Sequence, residues 1–192
     1  MIAQLTNMIT VISGTNRPGS STLQIAAYCT QYLKDILVSD EASLLDLQVC
    51  NHLPLLREDM YEKSGMPDAI ALIQDKYLVD SRLWLVISPE YNGGASGILK
   101  FFLDAVSVRK YKETFHHKKI ALIGVSSGRA GNLRGMDQLT GIFHYLQADV
   151  MPQKLPVSSV HHLIDKEGVL QDELRKTLQE FLDKVAVYYR RN

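Results

Sequence analysis

The chain has 192 residues, about the size of one large domain, and 46% of them are hydrophobic, which is enough for a sizeable core. Lysine plus arginine and aspartate plus glutamate both number 21, so the formal net charge is zero. This balance argues against nucleic-acid and anionic-membrane partners, which favour a basic surface, and it is compatible with an oligomer.

Cysteine content and hydrophobic patterning predict a soluble cytoplasmic protein. Cys29 and Cys50 are too few for a disulfide framework and fit no zinc or redox motif, so we expect them to be reduced and packed as small apolar residues. No stretch approaches the roughly 18 apolar residues of a membrane span. The first residues, MIAQLTNMITVISG, lack the charged n-region of a signal peptide.

Apolar runs alternate with segments of helical periodicity along the whole chain. In chain order, the predicted elements are a strand at 8–13, a helix at 23–37, a strand at 42–47, a helix at 67–79, a strand at 83–88, a helix at 97–108, a strand at 120–126, a helix through 139–146, a short strand from 149–151 and a closing helix at 172–189. Nearly all-apolar strands that alternate with helices indicate a parallel sheet covered on both faces. We therefore expect one α/β domain over residues 1–192, with three α/β/α layers and a five-stranded parallel sheet of order 2-1-3-4-5.

Loops of unusual composition follow the first, third and fourth strands. In a doubly wound sheet, ligands bind beyond the carboxyl ends of the strands, near the point where the strand order reverses. The loops after Ser13, Ser88 and Val125 lie at that edge. We expect them to meet in one pocket.

The first loop, GTNRPGSST, is suited to an anion. It offers the hydroxyl groups of Thr15, Ser20, Ser21 and Thr22 and the cation Arg17, and it opens a helix whose amino end attracts negative charge. It matches neither the G-x-G-x-x-G fingerprint nor a P-loop, which needs a final Lys-Ser/Thr pair. The pattern favours a phosphomonoester, and the alternative is a polar loop with an ordinary helix cap.

The second loop, PEYNGG, is suited to a flat ligand with polar edges. Tyr91 can present a ring, Asn92 has both a donor and an acceptor, and Gly93 and Gly94 let the backbone come close to a planar group. The alternative is a tight turn with a buried aromatic side chain.

The third loop, SSGRAGNLRG, is glycine-rich and carries Arg129 and Arg134. Its position is suited to closing the far side of the site or receiving an anionic second ligand. The alternative is a flexible surface loop with two solvated arginines.

Four segments together resemble the NADPH-dependent FMN reductase family, flavodoxin-like proteins that include chromate, quinone and azo reductases. The segments are GTNRPGSSTLQIA, LLDLQVCNHLPLL followed by RED, SPEYNGGASGILKFFLDAVS and VSSGRAGNLRGMDQL. Their order and spacing match along nearly the whole chain. The most specific part is PEYN followed by G-x-L-K and then D.

The resemblance implies that FMN is bound with its phosphate in the first loop and its isoalloxazine ring against the second. The implied cofactor-binding residues are Thr15, Arg17, Ser20, Ser21, Thr22, Leu23, Pro89, Glu90, Tyr91, Asn92, Gly93, Ser126, Ser127 and Gly128. Arg129 and Arg134 are the substrate-binding candidates, and Arg134 has a counterpart in the family pattern. Two positions depart from that pattern: Thr22 replaces an asparagine, and Ser96 replaces a common proline.

The resemblance also implies an activity. Hydride passes from NADPH or NADH to FMN, and electrons then pass to a flavin, a quinone or another small acceptor, so the cofactor carries the redox chemistry. No side chain is expected to act as an acid or a base, and no catalytic residue is predicted. The alternative is a flavin-binding electron carrier or sensor without nicotinamide turnover, although such carriers tend to be acidic and this chain is neutral.

The family usually forms dimers or tetramers, so a homodimer or homotetramer is expected. The segment 49–66, long for a connection, and the helix after Gly97 are the expected contact surfaces. No metal site is expected, because the adjacent side chains of the pairs His116–His117 and His161–His162 point apart. The basic stretch RKYKETFHHKK is interpreted as a solvated loop, with a subunit contact as the alternative, and Asp46 is interpreted as structural.

Overall fold

A computed structural model describes residues 8–37, 41–54, 57–62 and 66–191. The first residues of the chain and parts of the predicted contact segment, 55–56 and 63–65, lie outside the described residues. Leu55 and Leu56, which belong to one of the segments that carry the family resemblance, are among these residues.

Six strands and six α-helices make up the described part of the fold. The strands are β1 (Met8–Ser13), β2 (Glu41–Asp46), β3 (Ser81–Pro89), β4 (Lys119–Val125), β5 (Asp149–Val150) and β6 (Leu155–Val157). The helices are α1 (Ser21–Ile36), α2 (Asp68–Gln74), α3 (Gly97–Val106), α4 (Tyr111–Phe115), α5 (Leu133–Tyr145) and α6 (Asp172–Arg190). A π-helical turn at Asp75–Val79 continues α2, and 3₁₀ turns lie at Leu47–His52 and Val160–His162.

The parallel sheet has the order β2-β1-β3-β4-β5, which confirms the predicted topology. The predicted fifth strand is interrupted: β5 has two residues, and β6 resumes the pairing with β4. Pro152 lies in the interruption, where its missing N–H cannot contribute to a ladder. The register places Ser13 of β1 opposite Asp46 of β2 and Ile87 of β3, so these strands end at one edge.

Alternating side chains of the strands form two hydrophobic cores, one on each face of the sheet. Ile9 and Val11 of β1 pack in the core that includes α1 and α6, and Ile12 packs in the core that includes α3 and α5. Trp84 of β3, which is fully buried, makes an edge contact with Phe143 of α5 at a centroid distance of 6.2 Å. Both faces of the sheet are therefore covered, as the apolar strands predicted.

The solvated-loop interpretation of RKYKETFHHKK is wrong, because this stretch contains α4 and three buried residues, Thr114, Phe115 and Lys118. Phe115 is fully buried, with its ring centroid 5.6 Å from that of Trp84. Lys118 is only 5% exposed; its Nζ donates to the carbonyl oxygens of Val79 and Ser81, and burial lowers its pKa to about 8. The many charged residues of RKYKETFHHKK resemble those of a surface loop, although the segment packs against the sheet.

Both cysteines are buried and unpaired, as predicted. Burial raises the pKa of the Cys50 thiol to about 11 and also raises that of Cys29. In the part of the chain that the structure describes, no helix combines the length and the apolar character needed to cross a membrane.

Candidate active site

The loops that follow β1, β3 and β4 meet at the carboxyl edge of the sheet and enclose a cleft of about 260 Å³. The predicted residues that line it are Arg17, Ser20, Ser21, Thr22, Pro89, Glu90, Tyr91, Ser126 and Ser127. Val125, Val160 and His161 complete the lining. The convergence expected from the topology is therefore present.

The first loop forms the start of α1 and presents hydrogen-bond donors to the cleft. Ser20 is the N-cap, and its Oγ accepts a hydrogen bond from the N–H of Leu23 at 3.1 Å. The geometry of a helix start leaves the N–H groups of Ser21 and Thr22 without an intrahelical carbonyl partner. Because both residues line the cleft together with the exposed Arg17, this wall can bind an anion.

The first loop is held against β3 by close backbone contact. The Gly14 N–H donates to the Ile87 carbonyl at 2.8 Å, and a Cβ on Gly14 would lie 2.7 Å from that oxygen. The hydroxyl of Ser96 donates to the Gly14 carbonyl. Residue 14 must be glycine for the loop to leave the sheet at this position.

The second loop turns back on itself at Asn92 and Gly93. Both have positive φ, 52° and 78°, as in a type I′ turn, and Tyr91 and Gly94 exchange backbone hydrogen bonds of 3.0 and 3.1 Å. The Tyr91 hydroxyl lies 2.9 Å from Thr15 Oγ1, which connects this loop to the first. Thr15 is fully buried and supports Tyr91 rather than lining the cleft.

The third loop is fastened to the second through Asn132. Its backbone N–H donates to Glu90 Oε2 at 3.2 Å, and its Nδ2 donates to the Ser88 carbonyl at 2.9 Å. Asn132 is fully buried and has the left-handed backbone conformation, φ 59°. Within the loop, Ser126 Oγ accepts from the Gly131 N–H at 2.9 Å.

Some predicted site residues lie beside the cleft without lining it. They are Thr15, Leu23, Asn92, Gly93, Gly128, Arg129 and Arg134. Arg134 is near the second loop, with one guanidinium nitrogen 3.8 Å from the position of a Cβ on Gly93. Arg129 is exposed, and its carbonyl accepts a hydrogen bond from Ser158 Oγ at 2.7 Å. Neither arginine lines the cleft with the phosphate-binding candidates.

Sequence reasoning missed a fourth wall, formed by Val160 and His161 after β6. The Val160 N–H donates to the Ser126 carbonyl at 3.0 Å, and the Ser159 N–H donates to the Gly128 carbonyl at 2.8 Å. Because β6 is parallel to β4, the turn after it reaches the same edge of the sheet. Recognising LPV at 155–157 as a strand would have predicted this wall.

The expectation that the side chains of His161 and His162 point apart is wrong, because their ring centroids lie 4.0 Å apart. Across the described ranges, no group of three or more histidine, cysteine, aspartate or glutamate side chains is placed to hold a metal ion.

Comparison with known proteins identifies the family. The model of the NADPH-dependent FMN reductase family matches residues 7–162, which include all three loops and the fourth wall. The chain belongs to this family.

Similar proteins extend the match over most of the chain. An NAD(P)H-dependent FMN reductase of Pseudomonas aeruginosa is 29% identical over 90% of this chain and 93% of its own length. A 2-hydroxy-1,4-benzoquinone reductase of a Burkholderia species is 30% identical over 95% of this chain and 96% of its own. Among solved structures, the flavoenzyme FerB of Paracoccus denitrificans, an NAD(P)H:acceptor oxidoreductase, has the same fold: TM-score 0.78, 19% identity, 96% and 97% coverage of the two chains.

Family membership confirms several predictions made from the sequence resemblance. The fold is flavodoxin-like, the protein is an oxidoreductase, its cofactor is FMN and its electron donor is NAD(P)H. The roles of individual residues remain predictions.

Proposed function

We propose that this member of the family takes a hydride from NADPH or NADH onto FMN held in the cleft and passes electrons to a quinone, a free flavin or another small acceptor. The observation that carries the proposal is the meeting of three strand-end loops in one cleft, with anion-binding groups on the first loop and Tyr91 on the second. The FMN reductase and benzoquinone reductase relatives support these acceptor classes. We further propose that the chain acts in the cytoplasm as a single domain.

The donor set of the first loop fits a terminal phosphate. Ser20, Ser21 and Thr22 bring hydroxyl groups to the cleft, the start of α1 brings free N–H groups, and Arg17 brings a positive charge. The missing asparagine of the family pattern is replaced by the hydroxyl of Thr22. These groups would hold the phosphate by direct hydrogen bonds.

The second and third loops would hold the flat part of the cofactor. Bound there, FMN supplies the hydride- and electron-transfer chemistry. Tyr91 is 38% exposed and is positioned by Thr15, while Asn132 holds Glu90 and the end of β3 in place. The residues of the chain therefore bind and orient, and we assign no acid–base role to any of them.

A homo-oligomer is also proposed, with contacts through the described part of segment 49–66 and through α3. Tyr61 is 83% exposed, and Phe101 of α3 is 51% exposed. Large exposed aromatic side chains are enriched at subunit interfaces. Sedimentation of the FMN-loaded protein tests this proposal.

Anaerobic mixing of the FMN-loaded protein with NADPH, and separately with NADH, tests the proposed function. We expect rapid loss of the yellow flavin absorbance and its return on addition of a benzoquinone. If the flavin absorbance does not fall, or falls far more slowly than the steady-state rate of acceptor reduction, the carrier alternative is favoured. Steady-state rates with quinone and free-flavin acceptors then separate the acceptor classes.

Replacing Arg17 with alanine is expected to weaken FMN binding by about tenfold or more, because a charge-assisted contact with phosphate is lost. Riboflavin, which lacks the phosphate, should bind the parent and the variant equally well. Quenching of flavin fluorescence by the apoprotein measures both dissociation constants. Arg129→Ala, outside the cleft, is the matched control, and an unchanged FMN affinity in Arg17→Ala would contradict the phosphate assignment.

A further inference from the structure

His161 is a titratable residue of the cleft to which the proposed cofactor arrangement gives no role. It follows β6, is exposed, and lines the same cleft as Arg17 and the start of α1. Its backbone is fixed there because the preceding residue, Val160, is only 8% exposed and its N–H donates a hydrogen bond to the Ser126 carbonyl. The position of His161 is therefore set by the sheet and the third loop.

The charges of the cleft leave a place for a second positive group. Among the described residues that line it, Arg17 is the one arginine or lysine, Glu90 the one carboxylate and His161 the one imidazole. A phosphomonoester carries a charge of about −1.5 to −2 near neutral pH. Since Glu90 adds a negative charge, Arg17 alone does not balance the phosphate.

Four other charged or titratable groups do not take over this role. Glu90 accepts a hydrogen bond from the Asn132 N–H, which binds it to the third loop. Arg129 is exposed and does not line the cleft, and neither does His162, whose ring is beside that of His161. Asp165, further along the same segment, accepts a hydrogen bond from the Val169 N–H at 2.7 Å.

We propose that His161 is a second phosphate-binding side chain, which together with Arg17 recognises FMN over riboflavin and makes flavin affinity depend on pH. The inference rests on the proposed function, because it takes FMN as the ligand of this cleft. A histidine gains positive charge as the pH falls from 8 to 6, so its contribution to phosphate binding grows in the same direction.

The experiment compares His161→Gln with the parent by titrating FMN and riboflavin into each apoprotein at about pH 6 and about pH 8. We expect His161→Gln to bind FMN about fivefold more weakly at the lower pH and by a clearly smaller factor at the higher pH. Riboflavin affinity should be the same in both proteins at both pH values. The ionisation of free FMN is the same in both titrations, so it cancels when the FMN affinity of His161→Gln is divided by that of the parent at the same pH.

His144→Gln is the matched control, because His144 is an exposed histidine of α5 that does not line the cleft. It should retain the parent ratio of FMN to riboflavin affinity at both pH values. An equal loss of FMN and riboflavin affinity in His161→Gln, an effect independent of pH, or no effect at all would overturn the inference. These results differ from failure of the proposed function, in which the parent itself would not bind FMN.

Discussion

Asn132→Asp is expected to lower the free energy of unfolding of the apoprotein by about 2–4 kcal/mol and to weaken FMN binding. Aspartate has nearly the same shape as asparagine and also tolerates the left-handed backbone that residue 132 adopts. It has no Nδ2 group, however, so a carboxylate oxygen would face the Ser88 carbonyl, which now accepts a hydrogen bond from Asn132 Nδ2 at 2.9 Å. Asn132 is fully buried, so water cannot relieve this repulsion.

Asn132→Gly removes the side-chain hydrogen bonds of residue 132 but keeps its backbone conformation, so it tests the two contributions separately. Glycine accepts the left-handed conformation without strain and introduces no charge, so a smaller loss of stability is expected than with aspartate. Urea unfolding of the apoproteins and fluorescence titration with FMN give the two readouts. If the Asn132→Asp variant were as stable as the parent, the hydrogen bonds to Ser88 would contribute little to joining the two loops.

The topology was predictable because the physics of a covered parallel sheet is visible in local sequence. Strands buried on both faces must be almost entirely apolar, as LWLVIS in β3 is, and their alternation with helices fixes the fold class. The rule that ligands bind where the strand order reverses then placed the first three walls of the cleft. The family resemblance added FMN, which the loops alone did not specify.

What the sequence did not predict depends on contacts between residues far apart in the chain. Phe115 is buried against Trp84, and Lys118 reaches carbonyl groups at the start of β3, yet the segment that holds them is locally as charged as a surface loop. The contact of the Thr15 hydroxyl with that of Tyr91, 76 residues away, is another that the sequence did not predict. His161 was missed because β6, which directs it to the cleft, has only three residues.

Gly135→Ala and Gly141→Ala are expected to change stability in opposite directions, although both substitutions lie within α5. A Cβ on Gly135 would lie 2.1 Å from Asn132 Oδ1 and 2.7 Å from the backbone nitrogen of Ala95, so the third loop or the second must move. We expect a loss of about 1–3 kcal/mol in the free energy of unfolding. A Cβ on Gly141 meets nothing within 4 Å, and the higher helix propensity of alanine should add about 0.5–1 kcal/mol.

The pair also tests whether the packing between the loops sets the flavin site. Because Gly135 contacts both Asn132 and the end of the second loop, its substitution should weaken FMN and riboflavin binding alike, in contrast to Arg17→Ala, which affects only the phosphorylated flavin. Gly141→Ala should leave both affinities unchanged while raising the unfolding midpoint in urea. If Gly135→Ala were more stable than the parent and kept full flavin affinity, the two loops could move apart without loss of free energy. The shape of the cleft would then depend on the sheet and not on the packing between the loops.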